Sequence, residues 1–423
     1  MKSPELPYAD TLKCVQCGYC LPACPTYQTT GNETQSPRGR INLVRLVAEG
    51  KISDESLLEG PIDLCLGCRA CEEACPVGVP YGEILEQTRY LLREHSTKRG
   101  LGQRVQTAIY RHLLPDKGRL NLLGDFIWFY QQTIGRWRLM NRLLPLREFV
   151  EIMPKIEGPI VRRRKESKES IHARQGNKKV MFFRGCIMDV MFSSINRQTT
   201  ELLRHLGWSP IVPEEQTCCG ALHAHAGDLE FSKELAKKNI MAFEASGARV
   251  IVHNAGGCGA MLYEYKHLFE GDSEWAERAR KFSDSVQDIS QIVASSEQGK
   301  FAKAVDAVVT YQCSCHLNHV EKVKSEPVQV IKNLPGVTYK QLPNGTSCCG
   351  SAGIYNLVHR KEADAILQAK MSDVKKVNAQ VLVTSNPGCY LQMKLGIHQA
   401  GLSKQTRVVH LVELLAEASG TAD

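Results

Sequence analysis

The sequence lacks the features that identify membrane-spanning, nucleotide-binding and nucleic-acid-binding proteins. No run of about 18 apolar residues occurs, as a membrane-spanning helix needs, and the opening MKSPELPYADTLK has no apolar segment typical of a signal peptide. No G-x-G-x-x-G motif and no P-loop are present, so no site for flavin or NAD is indicated. Neither an RNP motif nor a long Lys/Arg tract argues for nucleic acid. These absences predict a cytoplasmic chain without flavin or NAD of its own.

Cysteine, by contrast, is abundant. The 423 residues, enough for two or three domains, include 17 cysteines. In the cytoplasm thiols stay reduced, so this number indicates metal ligation or catalysis rather than disulfides, and the odd count agrees. The net charge of +8 would suit an acidic partner, an anionic membrane surface or an anionic substrate, and does not choose among them.

Two cysteine runs near the N-terminus share one spacing, C-x2-C-x2-C-x3-C-P. They are CVQCGYCLPACP at 14–25 and CLGCRACEEACP at 65–76. This is the bacterial ferredoxin spacing for 4Fe-4S clusters, in which the fourth cysteine of each run ligates the other cluster. We therefore expect a first ferredoxin group, Cys14, Cys17, Cys20 and Cys75, and a second ferredoxin group, Cys65, Cys68, Cys71 and Cys24. Zinc is the alternative, since it also takes four thiolates.

The C-terminal half contains an internal duplication. A single cysteine, a CCG turn and a last cysteine recur with 31 and 38 intervening residues in one copy and 32 and 39 in the other. The first repeat group is Cys186, Cys218, Cys219 and Cys258, and the second repeat group is Cys315, Cys348, Cys349 and Cys389. Bare redox thiols or core packing are the alternatives to metal binding. Cys313 is expected to be a spectator.

Four short apolar runs predict strands: KVMFFRG, RVIVHNAGG, AVVTYQC and AQVLVTSNPG. They alternate with helix-period segments such as 228–247 and 360–376, which predicts parallel sheets with crossover helices. Cys186, Cys258, Cys315 and Cys389 each follow a predicted strand, so the cysteines should gather at the carboxyl edge of a sheet. We predict four regions: a mostly helical two-cluster ferredoxin-type domain, a helical connector with a charged linker, and two α/β domains, at residues 1–95, 96–178, 179–300 and 301–423. The charged linker itself is 161–179. Residues 122–146, apolar and aromatic among arginines, would pack between domains, meet a partner, or lie peripherally on the inner face of the cytoplasmic membrane.

The pattern C-x31–32-CCG-x37–38-C resembles the cysteine-rich CCG domain of heterodisulfide reductases and their relatives. The resemblance implies an iron–sulfur cluster in each repeat, held in that family by the single cysteine, the CC pair and a terminal CxxC. This chain departs from that pattern, with Ala255 and Asn386 where the first cysteine of CxxC would stand. A non-cubane cluster, a four-cysteine cubane, and one cluster per pair of repeats therefore stay open.

The whole layout resembles the glycolate oxidase iron–sulfur subunit family. The segments that carry the likeness are CPTYQTTGNETQSPRGRINLV, TCCGALHAH, GGCGAMLYEY and SCCGSAGIYNLVHR. The resemblance implies an electron-transfer subunit that receives electrons from an FAD-containing subunit oxidising a 2-hydroxy acid, and passes them to a quinone or another acceptor. The alternatives are the iron–sulfur subunit of a D-lactate or anaerobic glycerol-3-phosphate dehydrogenase, and a catalytic thiol/disulfide reductase.

Four further residues carry open alternatives. Arg38 and Arg40, in SPRGR between the two cysteine runs, would either contact a cluster or partner or be solvated. His223 and His225 follow the first CCG and could replace the ligand missing at position 255, although hydrogen bonding or surface placement is favoured.

Overall fold

The computed structural model describes residues 6–95, 100–133, 152–160, 178–296 and 301–421. Most of the predicted charged linker, residues 161–177, lies outside this set, as does the part of the 122–146 segment after residue 133.

The N-terminal module is built from short helices around the two cysteine runs. The helix that begins at Pro37 has a clear start signal: the Ser36 side chain accepts a hydrogen bond from the Gly39 amide at 3.0 Å, and Pro37 occupies the first turn. Apolar residues of that helix and of Tyr81–His95 form the module's core. The helices are α1 (Tyr8–Thr11), α2 (Pro25–Thr30), α3 (Pro37–Ala48), α4 (Glu59–Asp63), α5 (Ala70–Glu73) and α6 (Tyr81–His95), with 3-10 turns at Glu33–Gln35 and Glu55–Leu58.

A helical connector follows, with α7 (Leu101–Ala108), a π-helical turn (Ile109–Leu113) and α8 (Lys117–Gln132). The Asp116 side chain caps α8 by accepting from the Arg119 amide at 2.9 Å. The side chains of Leu122, Phe126 and Phe129 on α8 are exposed. Among the described residues, no helix has the length and hydropathy needed to cross a membrane.

Each repeat contains one four-stranded, all-parallel sheet, which confirms the predicted α/β class. The strand orders are β2-β1-β3-β4 and β6-β5-β7-β8, so the two copies share one topology. The four predicted strands are the inner ones, which are almost wholly buried and read as apolar runs. The strands are β1 (Lys179–Phe183), β2 (Ser209–Ile211), β3 (Ile251–His253), β4 (Val286–Asp288), β5 (Ala307–Tyr311), β6 (Val337–Tyr339), β7 (Val381–Thr384) and β8 (Arg407–His410).

Crossover helices connect these strands. The predicted helical segments 228–247 and 360–376 form α12 and α19, each of which ends at a residue in the left-handed conformation, Gly247 and Asn378. The helices are α9 (Ile187–Met191), α10 (Ser193–His205), α11 (Ala221–His225), α12 (Leu229–Ser246), α13 (Gly256–Leu268), α14 (Ala276–Asp284), α15 (Ile289–Ala294), α16 (Cys315–His319), α17 (Glu326–Lys332), α18 (Tyr355–Val358), α19 (Arg360–Val377), α20 (Pro387–Gln399) and α21 (Leu411–Ser419).

One hydrophobic core joins the two repeats. It includes Phe182 of the first sheet and Leu382 of the second, and the rings of Phe192 and Tyr390 meet edge to face with centroids 5.5 Å apart. The two sheets are therefore held in a fixed relation by apolar packing rather than by a linker.

Partly buried ion pairs fix the N-terminal module and the connector on the first repeat. Arg69 bonds to Glu264 at 2.6 Å, and Asp228 accepts from Arg93 of α6 at 2.9 Å and from Arg111 of the connector at 2.7 Å. Burial alone would raise the pKa of Asp228, but the two arginines hold it below its ordinary value, so Asp228 is ionised at neutral pH.

Gly227 lies where the first repeat touches the backbone of α6. Its φ is +74°, and a Cβ there would stand 2.5 Å from the Arg89 carbonyl oxygen. Gly247 has a similar φ of +65° but open space around it. We expect Gly247→Ala to cost about 1–2 kcal/mol of stability from backbone strain alone. Gly227→Ala should cost about 2–5 kcal/mol, because overpacking adds to that strain.

Thermal and chemical unfolding midpoints of the two purified variants test this difference. The Gly247 variant is the matched control, since both substitutions add one methyl at a left-handed position. Equal losses would contradict a rigid contact between Gly227 and α6.

Candidate metal centres

The first ferredoxin group lies at the surface of the N-terminal module. Cys14, Cys17, Cys20 and Cys75 line one cavity, together with Cys71. Cys17 is exposed and the other three members of the group are half-buried. The Val79 amide points at the Cys75 sulfur at 3.5 Å. This cavity thus brings together the four residues that the interleaved spacing predicts for one cluster, and places them close to solvent.

The second ferredoxin group is buried. Cys24, Cys65, Cys68 and Cys71 line a second cavity, and Cys71 lies between the two. The Tyr81 hydroxyl and the Gly67 amide donate to the Cys65 sulfur at 3.4 Å each, and Cys24 contacts the Thr26 hydroxyl at 3.2 Å. Such donors stabilise thiolates and are one of the ways by which a protein sets a cluster's potential.

Both cysteine runs adopt the same loop. The residue before the second cysteine has a positive φ in each run, 58° at Gln16 and 61° at Gly67, and so does the residue after it, 88° at Gly18 and 62° at Arg69. Left-handed residues turn a chain tightly enough for three successive cysteines to face one cavity. The cysteine spacing was visible in the sequence, but two of these four positions are non-glycine, so the loop conformation was not.

Arg40 lies beside the second ferredoxin group, inside the protein. Its guanidinium donates to the Pro61 carbonyl at 2.6 Å and to the Thr26 hydroxyl at 3.2 Å. Burial would raise the pKa of Cys65, but the charges of Arg40 and Arg89 bring it below its ordinary value. Arg38, by contrast, is ion-paired with Glu33 at 2.7 Å and donates to the Gln16 carbonyl in the first cysteine loop at 3.1 Å.

The first repeat group forms a chain of sulfur contacts at the carboxyl edge of its sheet. Cys186 follows β1, Cys258 follows β3, and their neighbours are Cys218 and Cys219 in the turn before α11. The sulfurs of Cys186 and Cys218 are 3.6 Å apart. Hydrogen bonds from the Cys218 and Cys258 thiols hold the pKa of Cys219 well below its ordinary value.

The second repeat group has the same arrangement after β5 and β7. Cys315 follows β5, Cys389 lies in the helix after β7, and Cys348 and Cys349 precede α18. The neighbouring Cys348 thiol and burial raise the pKa of Cys315 well above its ordinary value. Cys313 lies in the same hydrophobic core as Cys349 and Cys389, but its thiol donates to the Ser314 carbonyl at 3.4 Å. Burial and then the charge of Cys315 raise its pKa to about 12.

The glycine of each CCG turn is required by the backbone. Gly220 and Gly350 have φ values of +87° and +90°. A Cβ at Gly220 would lie 2.6 Å from the Ser232 hydroxyl, and one at Gly350 would lie 3.0 Å from the Ala363 carbonyl oxygen. The third letter of CCG therefore turns the chain and lets a helix pack against the cysteine pair.

The two residues that replace the missing cysteines differ in what they do. Ala255 is buried. Asn386 bridges the repeats: its side-chain oxygen accepts from the Gly257 amide at 3.0 Å, and its amide nitrogen lies 3.7 Å from the Cys389 sulfur. Asn386 thus connects a cysteine of the second repeat group with the residue next to Cys258 of the first. Sequence reasoning noted the substitution but had no signal for this bridge.

The second ferredoxin group packs directly against the second repeat group. Cys68 and Cys348 belong to one buried cluster with Leu66 and Tyr355, and Cys315 packs against it. Burial, and then the charge of Cys315, raise the pKa of Cys68 well above its ordinary value. The His316 ring bonds to the Gly67 carbonyl at 3.0 Å.

A cavity of about 500 Å³ lies beside the first repeat group. Cys186 and Cys218 line it, together with Arg184, Arg204 and residues of the connector. Arg184 is ion-paired with Asp189 at 2.7 Å. The first repeat group is thus reached from a cleft wide enough for a small molecule.

The two histidines after the first CCG have other partners. His223 is buried, its Nε2 bonds to the Tyr110 carbonyl at 2.8 Å, and burial lowers its pKa. His225 pairs with Glu86 at 3.4 Å and its ring lies 5.4 Å from that of His316. Both therefore serve the contact between the first repeat, the connector and the N-terminal module.

Four-cysteine sets with nearby amide and hydroxyl donors fit 4Fe-4S clusters in the two N-terminal cavities, because thiolates are the ligands that such clusters take. The repeat groups offer the same donor set, four thiols each. Among the described residues, no three or more His, Cys, Asp or Glu side chains are arranged to hold a single metal ion.

Comparison with known families agrees with this layout. A 4Fe-4S dicluster domain matches residues 10–79, a cysteine-rich CCG domain matches 180–263 and 309–394, and a linker region of glycolate oxidase iron-sulfur subunits matches 102–153. The probable glycolate oxidase iron-sulfur subunit of Bacillus subtilis is 44% identical, over 97% of this chain and 94% of its own. This chain belongs to the glycolate oxidase iron–sulfur subunit family.

Two further relatives are similar to this chain, one over nearly its whole length and one over part of it. The glycolate oxidase iron-sulfur subunit of Escherichia coli is 30% identical, over 96% of this chain and 93% of its own. Lactate utilization protein A of Bacillus cytotoxicus is 32% identical over its full length, which covers 57% of this chain. Membership in the glycolate oxidase iron–sulfur subunit family confirms the predicted two-cluster ferredoxin-type module followed by two CCG domains.

Proposed function

We propose that this chain is the electron-transfer subunit of a flavin-dependent 2-hydroxy acid dehydrogenase complex, with glycolate as the substrate. A partner flavoprotein would remove two electrons and two protons from the hydroxy acid, leaving the oxo acid, and pass the electrons on singly. Iron–sulfur clusters, when bound, supply one-electron carriers. The chain's own residues hold these carriers in sequence, exclude water from them and set their potentials.

The observation that carries this proposal is the order of the four cysteine groups. The first ferredoxin group is the one that reaches solvent through Cys17, while the second is buried against Cys315 and Cys348. Asn386 then links the second repeat group to the first. This order is that of a relay: first ferredoxin group, second ferredoxin group, second repeat group, first repeat group.

The two ends of the relay differ in surface. Around the first ferredoxin group Val15 and Tyr19 are 64% and 69% exposed, and Leu12 and Val77 are also exposed. Such an apolar rim is suited to docking a protein, so we assign it to the flavoprotein. The 500 Å³ cavity beside Cys186 and Cys218 lies at the other end and would admit a quinone or another small acceptor.

Lactate is the second candidate substrate, because Lactate utilization protein A of Bacillus cytotoxicus matches over its entire length. The choice would be made in the flavoprotein, where the hydroxy acid binds. The two candidates therefore share the relay and differ only in the partner.

Anaerobic co-purification with FAD-containing dehydrogenase subunits from the same organism tests the proposal. Adding glycolate to the complex should give the paramagnetic signal of reduced clusters, and adding D-lactate should give less if glycolate is the substrate. In the isolated chain, dithionite should reduce the clusters, and neither glycolate nor D-lactate should. Turnover of either acid by the isolated, flavin-free chain would contradict the proposal.

A further inference from the structure

Arg40 is a buried charge whose described surroundings contain no matching anion. Its side chain is 1% exposed and is among the largest fully buried side chains of the protein. Its partners are neutral: the Pro61 carbonyl, the Thr26 hydroxyl and the Cys24 thiol. Among the residues that the structure describes, no carboxylate forms an ion pair with it. A buried cation without a counter-charge is strongly destabilising.

The protein supplies carboxylates to two other largely buried arginines. Arg69 pairs with Glu72 and Glu264 at 2.6 Å each, and Arg93 pairs with Asp228 at 2.9 Å. Arg40 differs from these two arginines, and it lines the cavity formed by Cys24, Cys65, Cys68 and Cys71. The half-buried Arg89 also donates to carbonyls near this group, those of Ile62 and Cys65, but Arg40 is the fully buried one. The anion that would balance the charge of Arg40 is therefore a group bound by the four cysteine thiolates of this cavity.

We infer that Arg40 is the counter-charge of the cluster in the second ferredoxin group and raises its reduction potential above that of the first. Four thiolates give a 4Fe-4S cluster a net negative charge, and a one-electron reduction adds one more unit. A fixed cation at the cavity wall stabilises the reduced form more than the oxidised form. Arg40 therefore acts on the reduction potential of the second cluster, and so on which of the two clusters holds the electron. The inference rests on the proposed function only in so far as clusters occupy both ferredoxin groups.

The neighbouring Arg38 provides a matched control. It belongs to the same SPRGR segment and lies near the first cysteine loop, but its side chain is 29% exposed and its charge is matched by Glu33. Solvent and Glu33 should screen its effect on the first cluster. Neutralising Arg38 should therefore change either potential much less than neutralising Arg40.

Potentiometric titration of the isolated chain, followed by electron paramagnetic resonance, tests the inference without the flavoprotein. Arg40→Gln should make reduction of one ferredoxin cluster less favourable by about tenfold or more, which is about 59 mV for a one-electron couple. Arg40→Lys, which keeps the charge, and Arg38→Gln should each shift it by less than this. An Arg40→Gln chain with both ferredoxin clusters present and neither potential shifted would overturn the inference.

Iron content covers the case in which Arg40→Gln does not retain its cluster. Loss of about four irons per chain in Arg40→Gln, with retention in Arg40→Lys, would support a role of charge. Equal loss in both variants would contradict it and assign Arg40 to packing. Wild-type chain without ferredoxin clusters would instead contradict the proposed function, so the two failures are distinguishable.

Discussion

Replacing Cys24 with alanine is expected to remove the cluster held by Cys65, Cys68 and Cys71, although Cys24 belongs to the other cysteine run. The reason is geometric, since Cys24 lines the cavity of the second ferredoxin group. Cys75→Ala should conversely affect the cluster of Cys14, Cys17 and Cys20, whose cavity Cys75 lines. Each variant should lose about four irons and all electron transfer to the acceptor.

Spectral pairing separates this arrangement from ligation within each run. Under interleaved ligation, the spectrum of the Cys24 variant matches that of Cys65→Ala, and the Cys75 variant matches Cys14→Ala. If each run held its own cluster, Cys24→Ala would match Cys14→Ala. Cys313→Ala is the control, because the Cys313 thiol donates to the Ser314 carbonyl and lines neither ferredoxin cavity, so its loss should leave iron content unchanged.

Replacing Cys348 with alanine is expected to stop electrons at the ferredoxin module. Cys348 packs with Cys68 in one buried cluster, and Cys315 packs against that cluster, so the second repeat group is the next carrier in the relay that we propose. With substrate and flavoprotein, both ferredoxin clusters should become reduced, the first repeat group should stay oxidised, and turnover with the acceptor should fall to background.

The equivalent change in the first repeat gives the contrast. Cys218→Ala should also reduce turnover to background, but electrons should still reach the second repeat group, because Cys218 lies one step further along. Rapid-freeze electron paramagnetic resonance of both variants distinguishes the two blocks. Reduction of the first repeat group at the wild-type rate in Cys348→Ala would contradict the order of the relay.

The cysteine groups and the α/β class of the repeats could be predicted, because the sequence signals for them are local. Cysteine spacing, the apolar inner strands and the duplicated CCG turns each depend on short stretches of chain. The outer strands gave no such signal: β2 is SPI and β4 is VQD, each of three residues. They form because the edges of a parallel sheet were available to pair with, which is a tertiary effect.

The contacts that order the cysteine groups are long-range and could not be predicted. Asn386 joins residues 129 positions apart when it accepts from Gly257, and His316 meets Gly67 across 249 positions. The sequence leaves Arg40 open as a contact to a cluster or a partner, or as a solvated side chain, and the structure places it beside Cys24 and Cys65 at 1% exposure. Burial decided between those alternatives, and burial depends on the whole fold.

Iron and acid-labile sulfide per chain, measured on anaerobically purified protein co-expressed with its genomic neighbours, test the central claim most directly. The claim is that electrons pass through the CCG repeats as well as the ferredoxin module. The account predicts about 16 irons per chain with a similar amount of sulfide, because each of the four cysteine groups in the relay then holds a four-iron cluster. About 12 irons would leave one repeat empty and contradict the order of the relay. About 8 irons would contradict the claim itself, because the two ferredoxin clusters would account for all of the metal and the repeats would be empty.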